Sequence, residues 1–189
     1  MTTSNATQRA VLFDRDGTLI VDVPYNGDPS KVVLMPGARE AVAQLRRAGF
    51  ALGVVSNQSG IARGIVTTAA VEAVNARVDS LAGPFDTWCY CPHDETAGCA
   101  CRKPQPGLVM RAAADLGVEP RRVVVIGDIA ADLGAAESAG AASILVPTEQ
   151  TLDVEVAEAT TVAGSLLEAV HLVLTDRTTA PQPTESALR

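Results

Sequence analysis

Ala10-Val11-Leu12-Phe13 is an unbroken apolar run, and it stops on Asp14-Arg15-Asp16-Gly17-Thr18. A run without polar alternation reads as a strand covered on both faces, as in a parallel sheet. Gly17 then breaks the pattern. The chain thus carries two carboxylates, one residue apart, to the end of a core strand, which in open parallel sheets is where ligands bind. The arrangement recurs twice. The run over 50–55 stops at Ser56-Asn57-Gln58-Ser59-Gly60, and Val123-Val124-Val125-Ile126 stops at Gly127-Asp128. Stretches of helical spacing separate the runs, so crossover helices join them. That alternation predicts a parallel sheet with the polar residues along one edge.

The remaining elements follow from local signals. Pro36-Gly37 opens a helix with Val42 and Leu45 on one face, and Gly49 stops it. Helices are expected over 69–81 (capped by Thr67-Thr68), 106–116 and 130–139, with shorter strands at 86–90 and 142–146. One final helix is expected within 151–174, where Leu166, Leu167, Val170 and Leu174 share a face and His171 is a helix-face residue rather than a ligand. Residues 15–35 carry the turn signals Pro24, Asn26-Gly27 and Asp28-Pro29. The segment is long for a connection, so it is expected to contribute to the site.

The 189 residues suffice for one domain, expected over 9–176, with a loose start (1–8) and a polar, Pro-containing, disordered tail (177–189). A net charge of −7 without a basic stripe argues against nucleic acid as a partner. No apolar run is long enough to span a membrane, and the polar start lacks the apolar middle of a signal peptide. A soluble cytoplasmic monomer is expected.

The chemistry concentrates at the strand ends. One carboxylate of Asp14/Asp16 can attack an electrophile while the other handles a proton, if a divalent metal offsets their charge. Ser56 repeats the geometry of Asp14 as the first polar residue after a core strand, although taken alone the stretch reads first as a Ser/Asn turn. Asp128 stands at a third strand end, or else N-caps the helix after it. All four cysteines fall between Cys89 and Cys101. Cys91, His93, Cys99 and Cys101 offer three thiolates and an imidazole, enough for a tetrahedral zinc site in a small loop, 91–101. Cys89 belongs to the strand and reads as a small buried residue. Arg102-Lys103-Pro104 leaves the last zinc ligand directly, so a metal clamp would fix both cations. A pair of acids for a cation, a hydroxyl and a lysine for an anion, and a carboxylate nucleophile together fit phosphoryl transfer to an aspartate.

The ordered set Asp-x-Asp-Gly-Thr, Ser-Asn, Lys-Pro and Gly-Asp-x-x-x-Asp resembles the haloacid-dehalogenase-like phosphatases. Ser56-Asn57-Gln58-Ser59-Gly60-Ile61-Ala62-Arg63-Gly64, with Cys91-Pro92-His93 and Cys99-x-Cys101-Arg102-Lys103-Pro104, is similar to a narrower group. That group comprises the D-glycero-D-manno-heptose 1,7-bisphosphate phosphatases and the histidinol-phosphate phosphatases. The resemblance spans roughly residues 11–146. It implies an α/β fold with a Rossmann-like parallel sheet, helices on both faces, no large cap domain and a small zinc-binding loop. It also implies roles. Asp14 would be the nucleophile and a magnesium ligand. Asp16 would be the general acid/base, lending magnesium its backbone carbonyl, and Asp128 would complete the protein ligands. Ser56 and Lys103 would steady the phosphoryl group. Asp22, Tyr25, Asn57, Gln58, Ser59 and Arg102 would line the site for a small phosphorylated sugar, and Cys91, His93, Cys99 and Cys101 would hold zinc. The family usually has a basic residue directly after the magnesium aspartate; here it is Ile129.

The activity so implied is magnesium-dependent removal of the 7-phosphate of heptose 1,7-bisphosphate through an aspartyl-phosphate, a step in nucleotide-activated heptose biosynthesis. Histidinol-phosphate phosphatase is the alternative with the same chemistry. A non-catalytic zinc-stapled interaction module is the alternative of another class.

Overall fold

A computed structural model describes residues 8–175. The expected tail, and all of the expected loose start but Gln8, lie outside the described residues. Five strands form one parallel sheet: β1 (Ala10–Phe13), β2 (Ala51–Asn57), β3 (Thr87–Cys91), β4 (Val123–Gly127) and β5 (Ala142–Leu145). Their order is β3-β2-β1-β4-β5. The chain winds outward from β1 to β3 and then crosses to β4, which puts the topological switch between β1 and β4. Phe13 lies level with Val54 on one side and Ile126 on the other. That register brings the ends of the three buried strands to one edge.

The alternation of side chains divides the core into two layers. Val11, Phe13, Leu52, Val54, Val124 and Ile126 face one layer, against α1 (Ala38–Arg47), α2 (Thr68–Ala82) and α6 (Leu166–Leu174). Ala10, Leu12, Ala51, Val55, Val123 and Val125 face the other, against α3 (Gly107–Asp115) and α4 (Ala130–Ala139). The parallel sheet with helices on both faces is therefore as expected from the apolar runs.

Three local differences have clear causes. β2 runs two residues past Val55, because Ser56 and Asn57 pair with Tyr90 and Cys91; Ser56 is thus inside the strand. The segment 151–174 includes the expected final helix, α6, and a second, shorter one before it. The added α5 (Asp153–Glu158) is a single capped turn and a half, with Glu155 accepting from the Leu152 backbone N–H. The helix after Gly127 is not capped by Asp128; Asp132 accepts from the backbone N–H groups of Asp128 (3.2 Å) and Ile129 (3.3 Å). Cys89 is buried and His171 lies exposed on α6, both as expected. Among the described residues no helix is long and apolar enough to cross a membrane.

Candidate active site

The turn after β1 is shaped by its backbone. Asp14 N–H continues the sheet by donating to Ile126 O (2.9 Å), while Leu19 and Ile20 N–H both donate back to Arg15 O (3.0 Å each). Gly17 has φ +82°, and a Cβ there would lie 2.2 Å from Asp128 Oδ2. Glycine at 17 thus serves both the left-handed turn and the approach of the Asp128 carboxylate.

Lys103 reaches this turn from the loop between β3 and α3. Its peptide is bracketed by one side chain: Lys103 N–H donates to Asn57 Oδ1 (3.0 Å), and Asn57 Nδ2 donates to Lys103 O (3.1 Å). Its Nζ donates to Asp14 Oδ1 (2.5 Å), Asp132 Oδ1 (2.5 Å) and Val55 O (2.9 Å). All three ammonium hydrogens are thereby used. Burial works against its charge, but Asp132 and Asp14 outweigh burial and raise its pKa, so Lys103 stays a cation. Gly127 makes room for this arrangement: a Cβ there would meet the Asp132 carboxylate at 2.3 Å.

The charges do not balance. Carboxylate oxygens of Asp14, Asp128 and Asp132 lie within 4.8 Å of one another, and all three residues are buried. Lys103 offsets one of them. Burial, then the charges of Asp132 and Asp16, raise the Asp14 carboxyl well above the usual range despite Lys103. Burial and the Asp132 charge push Asp128 up to about 7. Asp132 spends its oxygens on Lys103 and on the Asp128 and Ile129 backbone N–H groups. That leaves Asp14 and Asp128 as hard oxygen donors with excess negative charge, a pair suited to a divalent cation such as magnesium.

Asp16 is less buried and densely held. Arg15 donates through Nε to Oδ2 and through Nη2 to Oδ1 (3.1 Å each). Gln58 Nε2 donates to Oδ2 at 2.9 Å and to Ser56 Oγ at 2.7 Å, and Ser56 Oγ lies 3.4 Å from the same carboxylate oxygen. Ser56 and Gln58 are buried around Asp16, whereas Asn57 spends its amide on Lys103. Ser59 is half-buried in the following turn. Asp22 is exposed, and desolvation together with the Asp16 charge raises its carboxyl. Tyr25, in left-handed backbone (φ 52°), is exposed and accepts from Arg63 Nη1 (2.8 Å). Arg63 Nη2 also reaches both oxygens of Glu95 (2.7 Å each), so one guanidinium joins the loops at 25, 63 and 95. Arg102 is half-buried, with Nη1 3.4 Å from His93 O.

The thiols form a second cluster. Cys101 Sγ lies 3.1 Å from Cys91 Sγ, 3.5 Å from Cys99 Sγ and 3.3 Å from His93 Nδ1. Cys91 Sγ lies 3.6 Å from Cys99 Sγ and 3.5 Å from His93 Nδ1. Ligands of one tetrahedral zinc sit about 3.3–3.8 Å apart. Four of these five distances fall in that range and the Cys91–Cys101 pair is closer. The four side chains form a group that could hold a metal ion, with the cysteines unpaired. Burial and hydrogen bonding to Cys101 raise the Cys91 thiol to about 12. Desolvation works to raise the Cys99 thiol, but hydrogen bonds from the Arg102 N–H, from Cys101 and from Cys91 together lower it to about 6.

The structure adds residues to which the sequence reading assigned no role. Asp132 was visible in the Gly-Asp-x-x-x-Asp spacing, but its salt bridge to Lys103 was not. Thr18 and Thr148 hydroxyls lie 3.5 Å from the Asp128 carboxylate, and Thr151 Oγ1 donates to Asp128 O at 2.6 Å. Asn75 on α2 accepts from Arg15 Nη1 at 2.7 Å; nothing in the helical pattern marks it except a polar residue on the apolar face.

Comparison with known proteins locates the site in a family. Residues 100–169 match the HAD-hydrolase-like family model. The chain is 38% identical over 166 residues to D-glycero-beta-D-manno-heptose-1,7-bisphosphate 7-phosphatase of Pseudomonas putida, covering 84% of this chain and 95% of that protein. It is 36% identical over 178 residues to the protein of that name from Vibrio cholerae, covering 87% and 96%. Among solved structures, D,D-heptose 1,7-bisphosphate phosphatase from B. bronchiseptica, complexed with magnesium and phosphate, superimposes with a TM-score of 0.79 at 31% identity, covering 89% of this chain and 99% of that one.

Proposed function

The chain belongs to the D-glycero-β-D-manno-heptose-1,7-bisphosphate 7-phosphatase family of HAD-like hydrolases, and on that premise we propose that it removes the 7-phosphate of heptose 1,7-bisphosphate. The observation that carries this reading is the buried Asp14–Lys103–Asp132 chain of charges beside Asp128, at the edge where β1 and β4 diverge. Asp14 and Asp128, with the Asp16 backbone carbonyl, would hold magnesium, the ion named with the related structure. Magnesium, when bound, offsets the charge of nucleophile and phosphate and polarises the phosphoryl oxygens.

The chain's own residues supply the rest. An Asp14 carboxylate oxygen bonds to phosphorus as the bond from phosphorus to the ester oxygen breaks. Asp16, protonated, gives its proton to that departing oxygen. Water then attacks the aspartyl-phosphate, Asp16 takes its proton, and the Asp14 oxygen–phosphorus bond breaks to release phosphate. Ser56 and Lys103 steady the phosphoryl oxygens, each such contact being worth about 3–4 kcal/mol. Asp22, Tyr25, Gln58, Ser59 and Arg102 line the approach, and Arg102 meets the second phosphate.

The test is a panel of both anomers of heptose 1,7-bisphosphate, histidinol phosphate and p-nitrophenyl phosphate. The β-anomer, for which the relatives are named, is expected to be the best substrate. Its kcat/KM should exceed that of histidinol phosphate at least tenfold, because a charged contact to Arg102 contributes about 1.5–3 kcal/mol and Arg102 repels a cationic amine. Higher kcat/KM for histidinol phosphate would transfer the assignment to that substrate. Turnover of none of them would leave the zinc-stapled interaction module.

Zinc is the second half of the proposal. Cys91, His93, Cys99 and Cys101 would bind one ion, and Arg102-Lys103 follow the last ligand directly. Elemental analysis of protein purified without chelator is expected to show one zinc per chain. Cys89→Ala should retain it, since Cys89 Sγ bonds instead to Asp115 Oδ2 (3.6 Å). Cys101→Ser should lose zinc and lower kcat about tenfold or more as Lys103 loosens, given how steeply rate depends on positioning. Zinc-free protein with full magnesium-dependent activity would remove this role.

A further inference from the structure

Arg15 lies between the two catalytic carboxylates in sequence, yet it is 1% exposed. Burying a guanidinium is costly unless its donors are matched. Here they are matched to two residues. Nε and Nη2 form a fork on the Asp16 carboxylate, and Nη1 donates to Asn75 Oδ1 at 2.7 Å. Asn75 sits on the apolar face of α2 among Val71, Val74 and Val78, where a polar side chain needs a partner. The Asp16 side chain is itself 23% exposed, against 2% for that of Arg15. Gln58 Nε2 holds one oxygen of this partly solvated carboxyl group, and the planar fork, which reaches both oxygens, fixes its plane.

We propose that Arg15 is a positioning residue for proton transfer: anchored by Asn75, it holds the Asp16 carboxyl group in the plane from which it reaches the ester oxygen. The proposal rests on the phosphatase reading above. The proton still goes from Asp16 to the leaving oxygen in the first step and returns from water in the second. Arg15 keeps its own protons throughout and sets only the direction.

Leaving-group dependence separates this role from a merely structural bridge between β1 and α2. A primary sugar alkoxide must be protonated as it leaves; p-nitrophenolate leaves without a proton. In Asn75→Leu and in Arg15→Lys, which keeps the charge but loses the fork, kcat/KM for the alkyl ester is expected to fall about 10–100-fold. For p-nitrophenyl phosphate it should stay within about twofold, and a burst of p-nitrophenolate should appear as hydrolysis of the aspartyl-phosphate becomes limiting. Asn75→Asp, which keeps the acceptor, should restore the wild-type ratio of the two substrates. The alkyl ester is heptose bisphosphate or histidinol phosphate, whichever the wild type cleaves, so an error in substrate does not enter. The ratio of kcat/KM values is independent of the folded fraction, so partial misfolding does not blur it. Equal losses on both esters, or no loss on either, would overturn the proposal.

Discussion

Asp14→Asn is expected to abolish turnover, lowering kcat by at least ~10⁴-fold, as removing a nucleophile does elsewhere. An amide oxygen is a poor nucleophile toward phosphorus and a weaker ligand for a divalent cation. The fold should survive. The substituted amide still offers an acceptor to Lys103, and the buried carboxyl of Asp14 is already pushed toward its neutral form by burial and by Asp132. One fewer negative charge among three buried carboxylates should leave the metal-free variant as stable as the parent or more so. Two measurements check this: steady-state turnover with magnesium, and mass spectrometry of acid-quenched protein for an aspartyl-phosphate. A variant proven free of deamidation that retained near wild-type activity would exclude the covalent route through Asp14.

Much of this site was legible because its residues stand at strand ends. Apolar runs locate the strands, parallel register aligns their ends, and so Asp14, Ser56 and Asp128 converge without any contact being known. The thiol cluster was legible by spacing alone. What stayed hidden were pairings across the sheet. Asn57 reads as a turn residue, and its bracket around the Lys103 peptide depends on β2 extending two residues further than its apolar run. Asp132 is visible in the sequence only as the last residue of the Gly-Asp-x-x-x-Asp spacing. Its double use, capping α4 and holding Lys103, needs the close approach that Gly127 permits. Arg15 is the clearest case. A charged residue inside a motif reads as solvated, and only the position of Asn75 on α2 shows why it is buried. The extra helix α5 escaped because it has no buried residues and so no apolar face to read.

Lys103→Met should show the second largest effect, on activity and stability together. The Lys103 side chain is 3% exposed, and its ammonium group donates to two carboxylates and to Val55 O. Methionine replaces the stem but none of the three hydrogen bonds, leaving Asp14 and Asp132 buried without their partner. Breaking a buried ion pair in this way costs about 3–5 kcal/mol. The loss should depend on pH, and its sign follows from proton linkage. Burial already raises Asp14 above its unfolded value, and loss of Lys103 raises it further. A carboxyl whose folded pKa lies above its unfolded one binds more protons when folded, so stability falls as pH rises through that interval. Urea unfolding of metal-free protein should therefore show a small deficit for the variant near pH 5.5 and a large one near pH 8, about the upper end of the range above. Turnover is best compared near pH 6, where the variant remains folded. There kcat should fall about 10²–10³-fold, the usual consequence of losing one preorganised donor to a developing anion. Lys103→Arg should not recover it, because a planar fork cannot satisfy three acceptors disposed around one ammonium nitrogen. A stability deficit that stayed constant from pH 5.5 to 8 would show that the Lys103 charge is not what balances these carboxylates.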